Sequence, residues 1–192
     1  MRKVFGYGGI AASVILVAFG AGAIVIGVSG YNEVRGEITA QMITATPDAA
    51  ELTNGRLQPG QAIKTGADAK AFADVMEHHA LESSDGQRYA EMDRFLTPSG
   101  GQTSDEALAA KTADGRPVEN GLRTLWVTET ALTTALNTAF FAERVALFSI
   151  VMGAALLLTG IGFFVLTLGG ALGFVALPKR SSSKVQTASA AI

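Results

Sequence analysis

Residues 4–30 read VFGYGGIAASVILVAFGAGAIVIGVSG, a run of 27 residues without a charged side chain. At about 1.5 Å of rise per residue, a helix of this length exceeds the hydrocarbon core of a bilayer, which is about 30 Å thick. The whole chain is apolar as well, with 48% hydrophobic and 17% charged residues among its 192. We therefore predict that residues 4–30 form a first transmembrane helix.

A cleaved secretory signal peptide is the alternative interpretation of this stretch. Arg2 and Lys3 precede it, and the tripeptide Ala21-Gly22-Ala23 resembles a cleavage site. However, the apolar run continues past that tripeptide as far as Val28, and it is roughly twice as long as the core of a signal peptide. We therefore favour a span that is retained.

A second uncharged run covers residues 145–178, which are 34 residues. One straight span needs fewer residues, even when it is tilted. The glycines at residues 168–173 lower the helix propensity, so we expect the helix to break there. We predict a second transmembrane helix within residues 144–177, with the span itself at 146–168.

The charges predict the orientation of both spans. The tails, residues 1–3 and 178–192, contain no acid, and their basic residues are Arg2, Lys3, Lys179, Arg180 and Lys184. Because positively charged flanks stay in the cytoplasm, we expect both termini there. Residues 31–143 would then form an extracytoplasmic domain. This segment holds nine basic residues against all 17 acidic ones, a net charge of −8.

The central segment has a mainly helical pattern, so the predicted fold class is mainly α: two transmembrane helices with a small helical domain between them. Residues 31–45 can prolong the first span, and prolines and glycines then mark a linker. Thr65 and Asp68 have the spacing of a capping box, and apolar residues at intervals of three and four predict a helix at about 66–83. The apolar residues within 89–96 predict a second, shorter helix or a continuation of this one.

Residues 97–121 are rich in Gly, Ser, Thr, Asp and Pro, which is typical of loops. We predict one short helical candidate, residues 104–111, and no strand, although two turn signals after residue 113 permit a hairpin. Residues 122–144 return to a helical pattern, with Leu125, Leu132, Leu136 and Phe140 on one stripe. This helix is expected to continue into the second span and to pack on the extension of the first.

The two histidines of the chain, His78 and His79, are the candidate chemical groups. Neighbouring residues of a helix point about 100° apart, so this pair does not chelate one ion. His78 and Glu82, four residues apart, are weak candidates for two metal ligands, but a metal site needs at least one more ligand. An acid-sensing role and an ordinary exposed helix face are the other interpretations.

Small residues four apart in the spans are typical of close helix packing. The function that this spacing suggests is dimerisation or docking on a membrane complex, and the alternative is packing between the chain's own spans. The helix-packing candidates are Gly8, Ala12, Ala18, Gly22, Ala23, Gly27, Ser149, Gly153, Gly169 and Gly173.

Several functions are disfavoured by the residues. The chain has no cysteine, so it has no disulfide and no thiolate metal site. It has no nucleophile elbow, phosphate loop or zinc-protease motif, and we expect no catalytic residue and no cofactor. Gly6, Gly8 and Ala11 fit a loose dinucleotide fingerprint, but no strand can precede them. The near-neutral net charge of −2 does not suggest a nucleic-acid partner.

Four stretches carry a resemblance to a known family: MRKVFGYGGI at residues 1–10, FADVMEHHA at 72–80, WVTETALTTALNT at 126–138 and FSIVMG at 148–153. They resemble a family of uncharacterised bacterial two-span integral membrane proteins. Some members of that family are labelled aromatic ring-opening dioxygenases. The residues here do not support this label, since its iron site requires two converging histidines and a carboxylate.

The function predicted from the sequence is that of a non-enzymatic integral membrane protein of the bacterial cell envelope. It would be an accessory or scaffold subunit in the lipid bilayer, whose extracytoplasmic domain binds a membrane-protein partner or forms a homo-oligomer. The alternative is a metal-dependent enzyme, or a metal or acid sensor, that uses His78, His79 and Glu82.

Overall fold

Two long helices make up most of the fold. The structure is a computed structural model that describes residues 2–169, with side chains from residue 6 onward. Its helices are α1 (Arg2–Ala40), α2 (Ala49–Leu52), α3 (Gly66–Ser83) and α4 (Gly121–Leu168), and its strands are β1 (Phe95–Leu96) and β2 (Gln102–Thr103). The predicted mainly helical fold with two long apolar helices is confirmed.

Helices α1 and α4 are both long and apolar enough to cross a membrane. They contain 39 and 48 residues. At about 1.5 Å per residue, each is much longer than a hydrocarbon core of about 30 Å. Helix α1 continues to Ala40 and α4 runs unbroken from Gly121, as predicted. Helix α4 ends at Leu168, where the predicted glycine break begins.

Some predictions fall on residues outside the described range 2–169. They concern the end of the second transmembrane segment up to residue 177, the helix-packing candidate Gly173, and the basic tail with Lys179, Arg180 and Lys184. For the residues that are described, two compact units can be distinguished. Residues 2–24 and 151–169 belong to one unit, and residues 25–150 form the other.

The unit of residues 2–24 and 151–169 is an antiparallel pair of helix segments. A Cβ atom placed on Gly20 would lie 2.7 Å from the carbonyl oxygen of Gly153. One placed on Gly160 would lie 2.9 Å from the backbone nitrogen of Val17. The two backbones therefore approach closely where at least one of the two facing residues is a glycine.

The unit of residues 25–150 has its main apolar core around α3. The buried members are Ile38, Ala45, Ala49, Leu57, Ile63, Ala69, Ala71, Phe72, Ala73, Val75 and Leu136. Helix α3 begins with the predicted capping box, in which the Thr65 hydroxyl accepts from the Asp68 amide at 3.0 Å and the Asp68 carboxylate accepts from the Thr65 amide at 3.0 Å. The predicted helix at about 66–83 is present. The packing predicted for residues 122–144 on the extension of α1 is present as well, since Leu136 and Ile38 belong to the same core.

The predicted linker between α1 and α3 has an ordered backbone. The Ala45 amide donates to the Gln61 carbonyl at 2.8 Å, and the Ile63 amide donates to the Ile43 carbonyl at 2.9 Å. The short helix α2 lies between these two paired segments. The linker is therefore folded against α3, and its Leu57 is fully buried.

Three predictions for residues 84–120 are wrong. The stretch 89–96 is not a helix: a 3-10 turn covers Tyr89–Glu91, and Phe95–Leu96 is strand β1. Residues 104–111 form turns rather than a helix. The expectation of no strand fails because β1 pairs antiparallel with β2, with Phe95 opposite Thr103.

Side-chain amides, rather than an apolar repeat, organise this region. The Gln102 side-chain oxygen accepts from the Asp93 amide at 3.0 Å and from the Asn120 side chain at 3.1 Å. Asn120 is 2% exposed, and its own side-chain oxygen accepts from the Leu122 amide at 3.1 Å. Asn120, the first residue of the second predicted turn signal, thus caps the start of α4.

A buried carboxylate joins three helices in this unit. Glu143 of α4 is 7% exposed. One of its oxygens accepts from the Gly66 amide at the first residue of α3, at 2.6 Å, and the other lies 3.4 Å from the guanidinium of Arg35 in α1. A Cβ on Gly66 would meet the Cα of Phe140 at 2.9 Å, so glycine permits this approach.

Glu143→Ala is expected to lower the free energy of unfolding by roughly 1 to 3 kcal/mol, because it leaves the buried Gly66 amide without an acceptor. Glu37→Ala is the matched control, since Glu37 is an exposed residue of α1. Chemical unfolding of both variants in detergent, followed by far-UV circular dichroism, measures the difference. Equal losses in the two variants would contradict the role assigned to Glu143.

Candidate functional site

The histidines lie on α3, and the structure separates them. Their ring centroids are 6.4 Å apart, with the rings inclined at 64°. His78 and Glu82 are both exposed. His79 is half-buried, and its Nε2 atom lies 2.6 Å from an oxygen of Asp48, just before α2. The structure thus pairs His79 with a carboxylate that the sequence did not single out.

Asp48 is held in its charged form by two neighbours. The neighbouring Thr46 side chain and, second, His79 lower the pKa of Asp48 from 3.8 to about 2. Asp48 therefore stays negatively charged throughout the neutral range. Among residues 2–169, no group of three or more His, Asp or Glu side chains is placed to hold a metal ion.

An open apolar pocket lies between α3 and α4, within the unit of residues 25–150. Its volume is about 360 Å³. Helix α3 contributes Met76, His79, Ala80 and Ser83, and α4 contributes Thr124, Leu125, Thr128, Glu129 and Leu132. Most of this wall is apolar, because the two helices turn their methyl and methylene groups towards each other.

Glu129 supplies a carboxylate to this otherwise largely apolar pocket. It is 6% exposed. Its carboxylate accepts a hydrogen bond from the neighbouring Thr130 hydroxyl at 3.3 Å, which is long for a charged acceptor. In the described part of the chain, no basic nitrogen forms an ion pair with it. The pocket therefore combines apolar walls with one buried carboxylate.

The predicted set of residues omits Glu129, although the sequence contained a signal for it. Leu125, Glu129, Leu132 and Leu136 follow one another at intervals of four, three and four. Glu129 therefore occupies a position of the apolar stripe. A glutamate on such a stripe is either buried with a partner or turned towards a cavity.

The chain's single tryptophan packs close to this pocket. Trp126 is 4% exposed and donates through Nε1 to the hydroxyl of Ser84 at 3.1 Å. That hydroxyl also contacts the Ala80 carbonyl at 2.8 Å. Arg88 lies over the Trp126 ring, 5.7 Å from its centroid. These contacts hold the end of α3 against α4.

A second, more polar recess of about 400 Å³ lies beside the start of α3. Its basic residues are Arg56, Lys70 and Arg144. Lys70 pairs with Asp74, and Arg56 lies 3.6 Å from the same carboxylate. Arg144 stacks over Phe140 at 5.0 Å. Two of the three basic residues thus share the carboxylate of Asp74, and Asp68 adds a second acid to the lining.

Two of the predicted helix-packing residues make close backbone contacts. A Cβ on Gly27 would lie 2.8 Å from the Ala146 carbonyl oxygen, and a Cβ on Gly153 would lie 2.7 Å from the Gly20 carbonyl oxygen. Within residues 2–169, Gly8 and Gly22 have no neighbouring atom within 4 Å of such a Cβ. For Gly169 the neighbouring atom in this range is the Val165 carbonyl oxygen of its own helix.

The other described members of that set are exposed or half-buried. Ala12 and Ala18 are exposed, Ala23 is half-buried, and the Ser149 hydroxyl donates to the Val145 carbonyl of its own helix at 3.0 Å. Gly173 lies outside the described residues.

The buried small residues of both helices recur at intervals of seven rather than four. In α1 they are Gly6, Ser13, Gly20 and Gly27, and in α4 they are Ala146, Gly153, Gly160 and Thr167. A seven-residue period is the packing repeat of left-handed helix pairs. The sequence therefore contained the contact positions, but in a spacing that the four-residue pattern does not detect.

Comparison of the chain with protein-family models, with curated proteins and with solved structures found no match.

Gly20→Ala is expected to destabilise the helix pair, because the added methyl group would lie 2.6 Å from the Leu157 amide nitrogen and 2.7 Å from the Gly153 carbonyl oxygen. Overpacking of this kind costs about 1 to 3 kcal/mol. Gly22→Ala is the matched control: its methyl group has no atom of the described residues within 4 Å, and alanine raises helix propensity. Thermal unfolding in detergent should show a lower midpoint for Gly20→Ala alone, and the opposite order would contradict this contact.

Proposed function

We propose that this chain is a non-enzymatic integral membrane protein with two spans, which acts as an accessory or scaffold subunit of the cell envelope. The observation that carries the proposal is the exposure of the apolar helices. Only 11% of the most apolar window of α1 and 17% of that of α4 are buried. A core helix of a soluble protein buries most of its apolar side chains.

Individual side chains support the bilayer as the surroundings of these helices. Phe19 is 70% exposed and Ile26 72% in α1, and Phe148 is 64% exposed and Leu158 67% in α4. Water would be an unfavourable solvent for so large a continuous apolar surface, whereas lipid tails are as apolar as these side chains. Neither apolar window contains more than two charged residues.

The proposed orientation places both termini in the cytoplasm and residues 31–143 outside it. It is supported by the basic residues Arg2 and Lys3 before the first span and by the absence of acids from both tails. The length of the helices is compatible with it, since each extends well beyond a single crossing. The polar ends of α1 and α4 would then support the folded segment between them.

A binding role for the outer domain is supported by its exposed apolar side chains. On the amino-terminal part of α4, Val127 is 57% exposed, Leu132 45% and Leu125 36%. These residues precede the proposed span at 146–168, so lipid tails would not cover them. A membrane-protein partner or a second copy of the chain would bury them.

The alternative function, a metal-dependent enzyme or a metal or acid sensor using His78, His79 and Glu82, has less support. His79 contacts Asp48, and His78 and Glu82 are exposed. Among residues 2–169, no group of three His, Asp or Glu side chains is placed to hold a metal ion, which favours an acid sensor over a metal centre. The scaffold function requires neither histidine.

A reporter that is active only outside the cytoplasm, fused after Gly101, is expected to be active, and the same reporter at the carboxyl terminus is expected to be inactive. Gly101 lies in the exposed turn between β1 and β2, so the fusion should not disturb the core. Activity at the carboxyl terminus with none at Gly101 would overturn the orientation.

Purification in mild detergent is expected to give an oligomer or a defined complex, because association covers the exposed leucines of α4. Leu125→Ser combined with Leu132→Ser should weaken that association. Leu158→Ser, on the lipid-exposed face, is the control that should not. Multi-angle light scattering and in-cell crosslinking measure the outcome. A monomer without crosslinked neighbours would count against the scaffold role while leaving the topology intact.

A further inference from the structure

The pocket between α3 and α4 has the composition of a ligand site. Its volume of about 360 Å³ falls in the range of small-molecule sites, about 300 to 1,000 Å³. Such sites are largely apolar and contain a few polar groups that fix the orientation of the ligand. Here Met76, Ala80 and Leu132 supply apolar wall, and Glu129 supplies the charged group.

We infer that this pocket binds a small organic monocation with an apolar body, with its ammonium group at the Glu129 carboxylate and its alkyl or aryl part against the apolar wall. This assignment is independent of the proposed topology. It goes beyond the scaffold role, because it assigns a charged ligand to Glu129; Leu125 and Leu132 belong both to this pocket and to the exposed surface proposed for association.

The burial of Glu129 is the first argument for a cation. An ionised carboxylate that leaves water needs an opposite charge or several hydrogen bonds to compensate for lost hydration. Glu129 is 6% exposed and has one long hydrogen bond, from Thr130, within the described residues. Glu143, the other buried glutamate, shows the compensated case, with an arginine and a backbone amide at its oxygens. An ammonium group would supply Glu129 with the opposite charge that an arginine already supplies to Glu143.

The surroundings provide a second argument. The basic residue at the rim, His79, is engaged by Asp48 at 2.6 Å. The hydroxyl of Thr128 donates to the Thr124 carbonyl of its own helix at 3.0 Å, so it is not available as a donor to Glu129. The pocket lies in a segment with a net charge of −8, which attracts cations and repels anions.

The shape of the pocket favours a free small molecule over a helix or a strand of a partner. It is lined by two helices, and its carboxylate residue Glu129 is 6% exposed, whereas Val127 on the same helix is 57% exposed. A lysine side chain of a partner protein offers the same chemistry. It would, however, require that partner, whereas a free amine binds to the isolated chain.

The test uses the full chain in nanodiscs of a zwitterionic lipid, with phenethylammonium as the probe and 2-phenylethanol as its uncharged analogue. Isothermal titration calorimetry, corrected with empty nanodiscs for partition into lipid, should give saturable binding of the amine at least ten-fold tighter than that of the alcohol. Glu129→Gln should remove this preference. Glu106→Gln, which changes an exposed acid, should retain it.

A second variant tests the apolar wall. Leu132 lines the pocket and is 45% exposed, so Leu132→Trp narrows the pocket without changing a buried core position. This variant should bind both probes more weakly. Far-UV circular dichroism verifies that each variant is folded. The inference is overturned if the wild-type chain binds neither probe, if it binds both equally, or if Glu129→Gln keeps the preference for the amine.

Discussion

The buried carboxylate of Glu143 is the contact on which the unit of residues 25–150 depends most. It forms an ion pair with the guanidinium of Arg35 on α1 and accepts a hydrogen bond from the first amide of α3. Since the amide ends of a helix carry partial positive charge, this carboxylate also stabilises the dipole of α3. Because Gly66 has no side chain, α3 can start directly against α4. The apolar core around Phe72 and Val75 then forms between elements whose relative position is already fixed.

Some parts of the fold could be predicted from the sequence and others could not. The difference depends on the type of interaction that forms each part. The spans, α3 and the continuous α4 have strong local signals: long uncharged runs, an apolar period of three and four, and a capping box. Residues 84–120 have no such period, because Gln102 and Asn120 organise them through hydrogen bonds to residues 9 to 27 positions away in the chain. A turn signal such as Asn120-Gly121 has the same residues whether it closes a hairpin or caps a helix. Only the tertiary contacts decide between the two.

The candidate site was predictable to a smaller extent. His79 has a partner, but Asp48 is 31 residues away and follows a proline in a segment that the sequence describes only as a linker. Glu129 could have been found, since it interrupts the stripe that contains Leu125 and Leu132. The contacts of the spans occur at intervals of seven, whereas small residues at intervals of four are common by chance in a chain with 22 glycines. Burial, which distinguishes Gly20 from Gly22, is not encoded locally.

The arginines of the chain are unusually often stacked on aromatic rings. Arg35, Arg94 and Arg123 lie 4.4 Å, 5.2 Å and 4.0 Å from the ring centroids of Tyr31, Phe95 and Tyr89. The positive charge of each of these guanidinium groups thus lies over an aromatic ring, while many carboxylates project into solvent. The central segment therefore carries a diffuse layer of mobile counter-ions, which extends about 8 Å from its surface at physiological ionic strength. The composition of this ion layer changes with the surrounding salt. The electrostatic environment of the protein therefore depends partly on the medium.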